Sequence, residues 1–186
     1  MKKIIIMLIM ALVSWGAFAQ HDHSKMTSKS KFQTSVKVDR SKSASAIIDN
    51  YLALSDALVK EDNNKSAIIG KNLLNLFPSF DASELASHQK KEVAEIIKTA
   101  TQQSKYIADN SGNISKQREH FEFLTKSIKD LILITGSDRT LFQAYCPMYN
   151  NNKGGAWLST TKEISNPYFG SKMLKCGSVQ QEFLVK

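Results

Sequence analysis

The stretch ISKQREHFEFLTKSIKDLILIT, residues 114–135, predicts one long amphipathic helix. Phe121, Leu124, Ile128 and Leu131 recur at spacings of three and four residues, so they share one face of the helix. Gly136 follows directly, and glycine commonly ends a helix because it adopts left-handed backbone angles without steric cost. The stretch therefore anchors a helical fold.

Three further amphipathic segments precede this helix. They run from Ser45 to Lys60, from Lys65 to Leu76 before Pro78, and from a cap at Asp81 or Ser83 to about Asp109. Four such helices joined by short polar turns predict an all-α fold, an antiparallel four-helix bundle. The predicted core positions are Ile48, Leu52, Leu58, Leu73, Leu85, Ile96, Leu124, Ile128 and Leu131.

The helical period disappears after Gly136. Residues 141–145 predict a short strand or an extended arm, residues 150–155 a loop, and residues 165–168 a turn before and around Pro167. We expect a mostly irregular C-terminal segment that packs on the bundle. Its predicted anchors are Trp157, Tyr168 and Phe169.

The first residues of the chain predict export. Lys2 and Lys3 precede an apolar run over residues 4–13, and Ala17 and Ala19 supply the small side chains that signal peptidase needs at positions −3 and −1. We expect residues 1–19 to be a cleaved signal peptide, residues 20–43 a disordered lead rich in His, Ser and Lys, and residues 44–186 a single helical domain. The predicted location is the periplasm, and no segment is long enough to span a membrane.

Charge and motifs exclude some classes of function. The formal net charge of +8 falls to +6 once Lys2 and Lys3 are removed, and the remaining basic residues are scattered rather than clustered. Nucleic acid is therefore not an expected partner. The sequence lacks a glycine-rich phosphate loop, a His-Glu-x-x-His helix and a nucleophile elbow, so we do not expect an enzyme.

The two cysteines carry the most specific chemistry. Cys146 and Cys176 can form a disulfide, because paired cysteines in exported proteins usually do. Alternatively, with Met148, Met173 and His120 they form a soft ligand set suited to Cu(I). Two free buried thiols or a redox pair are the remaining alternatives. In each of the first two cases, we expect the chain to fold back and bring Cys146 and Cys176 together near His120.

The predicted lead holds a second, weaker candidate metal site. His21 and His23 flank Asp22, and Met26 follows. Two imidazoles on a flexible chain can reach one copper, nickel or zinc ion. The alternative, which the sequence favours over metal capture, is an inert linker.

The C-terminal motifs also carry a family resemblance. The order Tyr-Cys-Pro-Met (145–148), Trp-Leu-Ser (157–159), Ile-x-Asn-Pro-Tyr-Phe-Gly (164–170) and Met-Leu-x-Cys-Gly (173–177) resembles an uncharacterised periplasmic domain family of Gram-negative bacteria. That family also occurs at the C-terminus of membrane-fusion adaptor subunits of heavy-metal efflux pumps. Residues 51–58 and 120–124 resemble its first and last helices. The resemblance implies a setting in metal handling but no mechanism.

Two functions are therefore expected from the sequence. The first is a periplasmic metal-binding accessory protein that captures or delivers copper-type ions, with a heavy-metal efflux adaptor or another envelope protein as partner. The second is a non-catalytic structural or interaction module of the cell envelope, stabilised by a Cys146–Cys176 disulfide and docking through its aromatic residues.

Overall fold

Long helices form the first part of the described chain. The computed structural model describes residues 34–186. Its four long helices are α1 (Ser45–Val59), α2 (Asn63–Leu76), α3 (Ser87–Asp109) and α4 (Ile114–Thr135), and a short fifth helix, α5, spans Tyr149–Asn152. All four were predicted, and α4 has the predicted bounds. The start of α3 differs, because neither Asp81 nor Ser83 caps it and the helix begins only at Ser87.

Local hydrogen bonds explain several helix ends. The Asp62 carboxylate accepts a bond of 2.9 Å from the backbone N–H of Lys65 and so caps α2. Asn113 caps α4 in the same way, through Lys116 at 3.1 Å. Gly136 ends α4 with a φ of 80°. A Cβ there would lie 2.2 Å from a backbone oxygen of the neighbouring segment, so only glycine fits this turn.

The fold also contains a mixed four-stranded sheet. Its strands are β1 (Thr34–Val38), β2 (Leu141–Cys146), β3 (Gly155–Ser159) and β4 (Ser178–Val185), in the order β1-β4-β2-β3. β1 runs parallel to β4, and the other neighbours are antiparallel. The prediction of an all-α four-helix bundle is therefore wrong. Helices α1 and α4 contact the sheet. The C-terminal segment, which was expected to be mostly irregular, supplies three of its four strands.

The first strand also corrects the predicted lead. Thr34 pairs with Gln181 and Val38 pairs with Val185. The first strand of the described chain, β1, is therefore hydrogen-bonded to the last strand, β4. The prediction of disorder is thus wrong for residues 34–43, which form β1 and the turn into α1. The predicted signal peptide (1–19) and residues 20–33 of the predicted lead lie outside the described residues.

The core lies where α1 and α4 pack against each other and against β3. Six predicted core residues are buried: Ile48, Leu58, Leu73, Leu124, Ile128 and Leu131. The other three, Leu52, Leu85 and Ile96, are partly buried against the same core. Trp157 and Tyr168 are buried and Phe169 packs beside them, which confirms their predicted role as anchors. Among residues 34–186, no helix has the length and apolar character needed to cross a membrane.

Candidate functional site

The end of β2 and the loop before β4 form the candidate site. Cys146 is the last residue of β2, pairs with Gly155 of β3 and is fully buried. Cys176 lies just before β4 and is partly buried. Because β2 and β4 are neighbours in the sheet, with Tyr145 opposite Ser178, the chain brings the two cysteines to the same end of the sheet.

A single asparagine shapes the loop that carries Cys176. Asn166 is fully buried, and its side-chain amide donates a bond of 2.9 Å to the Cys176 carbonyl. Its side-chain oxygen accepts from the backbone N–H of Tyr168 at 2.8 Å, and its own N–H reaches the Leu174 carbonyl at 2.9 Å. These bonds close residues 166–176 into a compact loop. The side chain of Asn166 therefore fixes where the second thiol lies.

The two thiols are in contact. The pKa of Cys176 is raised to about 11, chiefly by burial and also by a hydrogen bond shared with the Cys146 thiol, while a bond from the Met148 backbone opposes the shift. Both cysteines carry free thiols in this structure. The structure thus brings Cys146 and Cys176 together, as the sequence led us to expect, in an environment that favours the protonated form of Cys176 at neutral pH.

The two methionines flank this thiol pair through their backbones. Met148 contacts the Cys176 thiol through its backbone N–H, while its side chain is half exposed. The Met173 carbonyl accepts a bond of 3.0 Å from the Cys176 N–H. The backbone of Met148 therefore lies beside the Cys176 thiol, and that of Met173 lies beside the Cys176 N–H. Whether their thioethers bind an ion stays a prediction.

His120 lies on the flank of α4 that packs against α3. Its Nδ1 is 2.8 Å from the Gln103 side-chain oxygen, and its ring stacks on Tyr106 with the centroids 4.4 Å apart. Within residues 34–186, no group of three or more His, Cys, Asp or Glu side chains is placed to hold a metal ion. His120 is thus not part of the thiol site, and the expectation that it lies beside the cysteines is wrong. His21 and His23 lie outside the described residues.

Comparison with known protein families gives a match for most of the helical part of the chain. Residues 47–140 match a protein family of unknown function, DUF3347. The chain belongs to this family. The match covers α1 to α4 and ends just before β2, so the two cysteines lie beyond the matched residues. The DUF3347 description assigns no activity. Neither the curated proteins nor the solved structures contain a match to this chain.

Arg118 is a key residue at this end of the fold that sequence reasoning missed. From α4, its guanidinium donates to the Pro167 carbonyl at 2.8 Å and to the Leu58 carbonyl at 3.1 Å, and it lies 3.6 Å from the Glu61 carboxylate. It joins the end of α1 to the start of the loop that carries Cys176. In the sequence, Arg118 looks like one more charged residue on the polar face of a helix. Its buried carbonyl partners lie 49 and 60 residues away in the chain.

Proposed function

We propose that this protein is an exported metal-binding accessory protein in which the thiols of Cys146 and Cys176 capture Cu(I). The observation that carries the proposal is that the two thiols lie at the same end of the sheet and share a hydrogen bond. Soft Cu(I) prefers thiolate and thioether ligands, and Met148 and Met173 lie beside the pair. Copper is the cargo in this role, and no catalytic step is involved.

The burial of the thiol pair determines how such a site would respond to pH. Cu(I) binds thiolates, so binding must displace the proton that burial keeps on the Cys176 sulfur. Because the pKa of Cys176 is raised to about 11, protons compete with the metal throughout the neutral range. Apparent affinity for Cu(I) should therefore rise as pH increases from 6 to 8.

The cellular setting is part of the proposal. The predicted signal peptide directs the chain to the periplasm, and the resemblance of its C-terminal motifs suggests a link to heavy-metal efflux adaptors. A carrier that binds copper-type ions through two thiols would buffer or deliver them to such a system. The predicted lead, with His21 and His23, would add only weak binding.

Competition with a coloured Cu(I) chelator under anaerobic, reducing conditions tests the metal site. We expect the wild-type protein to take one ion per chain, and Cys146→Ser and Cys176→Ser each to abolish tight binding. His120→Ala is the matched control, because His120 faces α3 and should not matter. His21→Ala combined with His23→Ala should remove weak binding alone. Tight binding that survives both cysteine substitutions, in variants with native circular dichroism, would refute the proposal.

A second function is favoured by the burial of the same pair. Cys146 is fully buried and its thiol already shares a hydrogen bond with Cys176, so oxidation would need little movement. A disulfide would close a loop of about thirty residues and contribute roughly 3–4 kcal/mol to stability on the chain-entropy model. In this case the protein is a structural or interaction module of the envelope. Docking through Trp157 and Tyr168, however, is excluded because both are buried.

Thiol counting separates the two functions. Protein purified from the periplasm of an expression host is denatured and reacted with a thiol reagent, with and without prior reduction. Thiols that react only after reduction indicate the disulfide module. Thiols that react without reduction, and that Cu(I) protects in the folded protein, indicate the metal site.

A further inference from the structure

A basic groove lies between α4 and the β2–β3 hairpin. Its cavity has a volume of about 360 Å³, within the range of small-molecule sites. Phe123 and Lys126 of α4 line one side, and Gln143, Tyr145 and Gly154 line the other. Neither the thiol pair nor any Cu(I) chemistry involves this groove. It is a separate candidate for binding.

The charge of the groove is predominantly positive. Lys126 and Lys129 lie three residues apart on α4 and so project from the same flank of the helix, and Lys153 lines the groove from the hairpin. Across the described residues, no acidic side chain forms an ion pair with any of these lysines within 4 Å. The three lysines outnumber Glu122, the acidic residue that lines the groove and that interacts electrostatically with Lys153. The groove is therefore suited to an anion.

A buried polar atom also lacks a partner in the groove. The side-chain oxygen of Gln143 is buried, and no group among residues 34–186 hydrogen-bonds to it. Buried acceptors are normally satisfied, and an exception at a cavity wall indicates a position where a ligand can donate. Gln143 thus adds an unsatisfied acceptor to a groove that three lysines also line.

The rim of the groove has an unusual backbone. Asn150, Asn151 and Asn152 all have positive φ values, of 50°, 54° and 64°. Gly154 follows at 85°, and a Cβ on it would overlap the hydroxyl of Tyr145. The Tyr145 hydroxyl in turn donates to the Lys153 carbonyl at 2.9 Å. Strained backbone of this kind concentrates at binding sites, and here it holds Lys153 and the Tyr145 ring at the mouth of the groove.

We propose that the groove binds a small organic anion, a carboxylate or phosphate attached to an apolar body. The anionic group lies among Lys126, Lys129 and Lys153. The apolar part contacts Phe123, which is 50% exposed on α4, and the ring of Tyr145. This site is independent of the thiol pair, so its failure would leave the Cu(I) proposal unaffected.

Nuclear magnetic resonance titration of the mature chain tests the site. The probes are octanoate and octyl phosphate, with octanol as the uncharged control. We expect saturable shifts at Gly154, Gly155 and the Gln143 side-chain amide with both anions, and much weaker ones with octanol. Absence of saturable shifts at millimolar octanoate and octyl phosphate, or shifts spread over all basic surfaces, would overturn the proposal.

Charge-matched variants make the test specific. Replacing Lys126, Lys129 and Lys153 by alanine should weaken binding at least about tenfold, the equivalent of one good charge-assisted contact. The same three positions changed to arginine should retain binding. The matched control is K71A/K90A/K91A, which removes equal charge from α2 and α3. Equal loss in the control variant would show a non-specific charge effect and reject the site.

Vesicles distinguish the source of the anion. Phosphatidylglycerol vesicles that bind the wild type but not the alanine triple variant would assign the groove to a lipid headgroup. Binding of octanoate and octyl phosphate without vesicle binding would assign it to a soluble molecule. Both results support the site, whereas vesicle binding that the triple variant retains, without binding of either soluble probe, would overturn it.

Discussion

Tyr51 shows how one polar atom fixes a helix against the sheet. The residue is fully buried in α1, and its hydroxyl lies 2.8 Å from the Thr125 hydroxyl of α4. The same oxygen accepts a bond of 3.0 Å from the backbone N–H of Leu158 in β3. Because β3 borders the sheet, this N–H faces no further strand. One side chain thus joins two helices and an edge strand.

Replacing Tyr51 by phenylalanine tests this role. The variant keeps the ring but leaves the Leu158 N–H buried without a partner, which costs about 1–3 kcal/mol. We expect that loss in the free energy of unfolding, measured by urea denaturation. Tyr106→Phe is the matched control, because Tyr106 is 41% exposed and its hydroxyl only accepts a long bond of 3.4 Å from Gln102. Equal losses in the two variants would show that the buried hydroxyl has no special role.

At the scale of elements, α4 is the central helix. Phe121, Leu124, Ile128 and Leu131 are all fully buried along one face, as the spacing in the sequence predicted. The helix packs on α3 with one flank and on α1 and β3 with another. Residues such as Leu133 lie outside this contact and remain exposed.

Two leucines of α4 give a matched pair for testing that arrangement. Leu124→Ala should lower the free energy of unfolding by about 2–5 kcal/mol, because it removes a fully buried side chain and leaves a cavity. Leu133→Ala changes the same residue type in the same helix at a site that is 46% exposed. Its effect should be within about 0.5 kcal/mol, as for most surface substitutions. Chemical denaturation of both variants against the wild type measures the difference.

The four long helices could be predicted, whereas of the sheet only the possible strand at residues 141–145, which is β2, was predicted, for a physical reason. A helix can be predicted from a short stretch of sequence, because apolar residues three and four positions apart form its buried face. The strands are short, and β1 and β4 pair residues about 147 positions apart, such as Thr34 with Gln181. β4 is half-buried along nearly its whole length, so it lacks the alternation that marks a strand with one solvated face.

The candidate site was also only partly predictable from the sequence. The cysteines were found because their residue type is rare in the chain, and a turn at Asn166-Pro167 predicted their approach. His120 was assigned wrongly, because sequence alone does not show which flank of α4 faces α3 and which faces the sheet. The buried contacts of Arg118 and the left-handed asparagines depend on distant partners or on backbone angles that no local pattern records.

At the scale of the whole molecule, aromatic residues link the helices, the sheet and the C-terminal loop. Tyr51 stacks on Phe121 with ring centroids 5.2 Å apart, and Tyr168 packs against both Phe121 and Trp157. Tyr149 stacks on Tyr168 at 4.1 Å. The cluster includes three of the five tyrosines of the chain, so their ionisation should report on the integrity of the entire fold.

Alkaline pH should therefore unfold the protein cooperatively. Burial raises the pKa of Tyr149 to about 12 and also raises the pKa values of Tyr51 and Tyr168 above the usual range of tyrosine. Unfolded tyrosine titrates near pH 10, so above that pH the unfolded chain binds fewer protons than the folded one. Stability contributed by the neutral phenols is complete below pH 10 and is lost as the pH rises above it. Tyr51 and Tyr168 should each add a slope of up to about 1.4 kcal/mol per pH unit.

Parallel measurement of phenolate absorbance and circular dichroism checks this linkage. The ionisation of Tyr51, Tyr149 and Tyr168 should coincide with the loss of helical signal, because a buried phenolate is too costly without unfolding. Above pH 10, the slope of the free energy of unfolding against pH should be smaller in Tyr51→Phe by the contribution of about one proton. Tyr106→Phe should leave the contributions of Tyr51, Tyr149 and Tyr168 to that slope unchanged. Complete tyrosine ionisation in a protein that keeps its native spectrum would contradict the buried aromatic cluster.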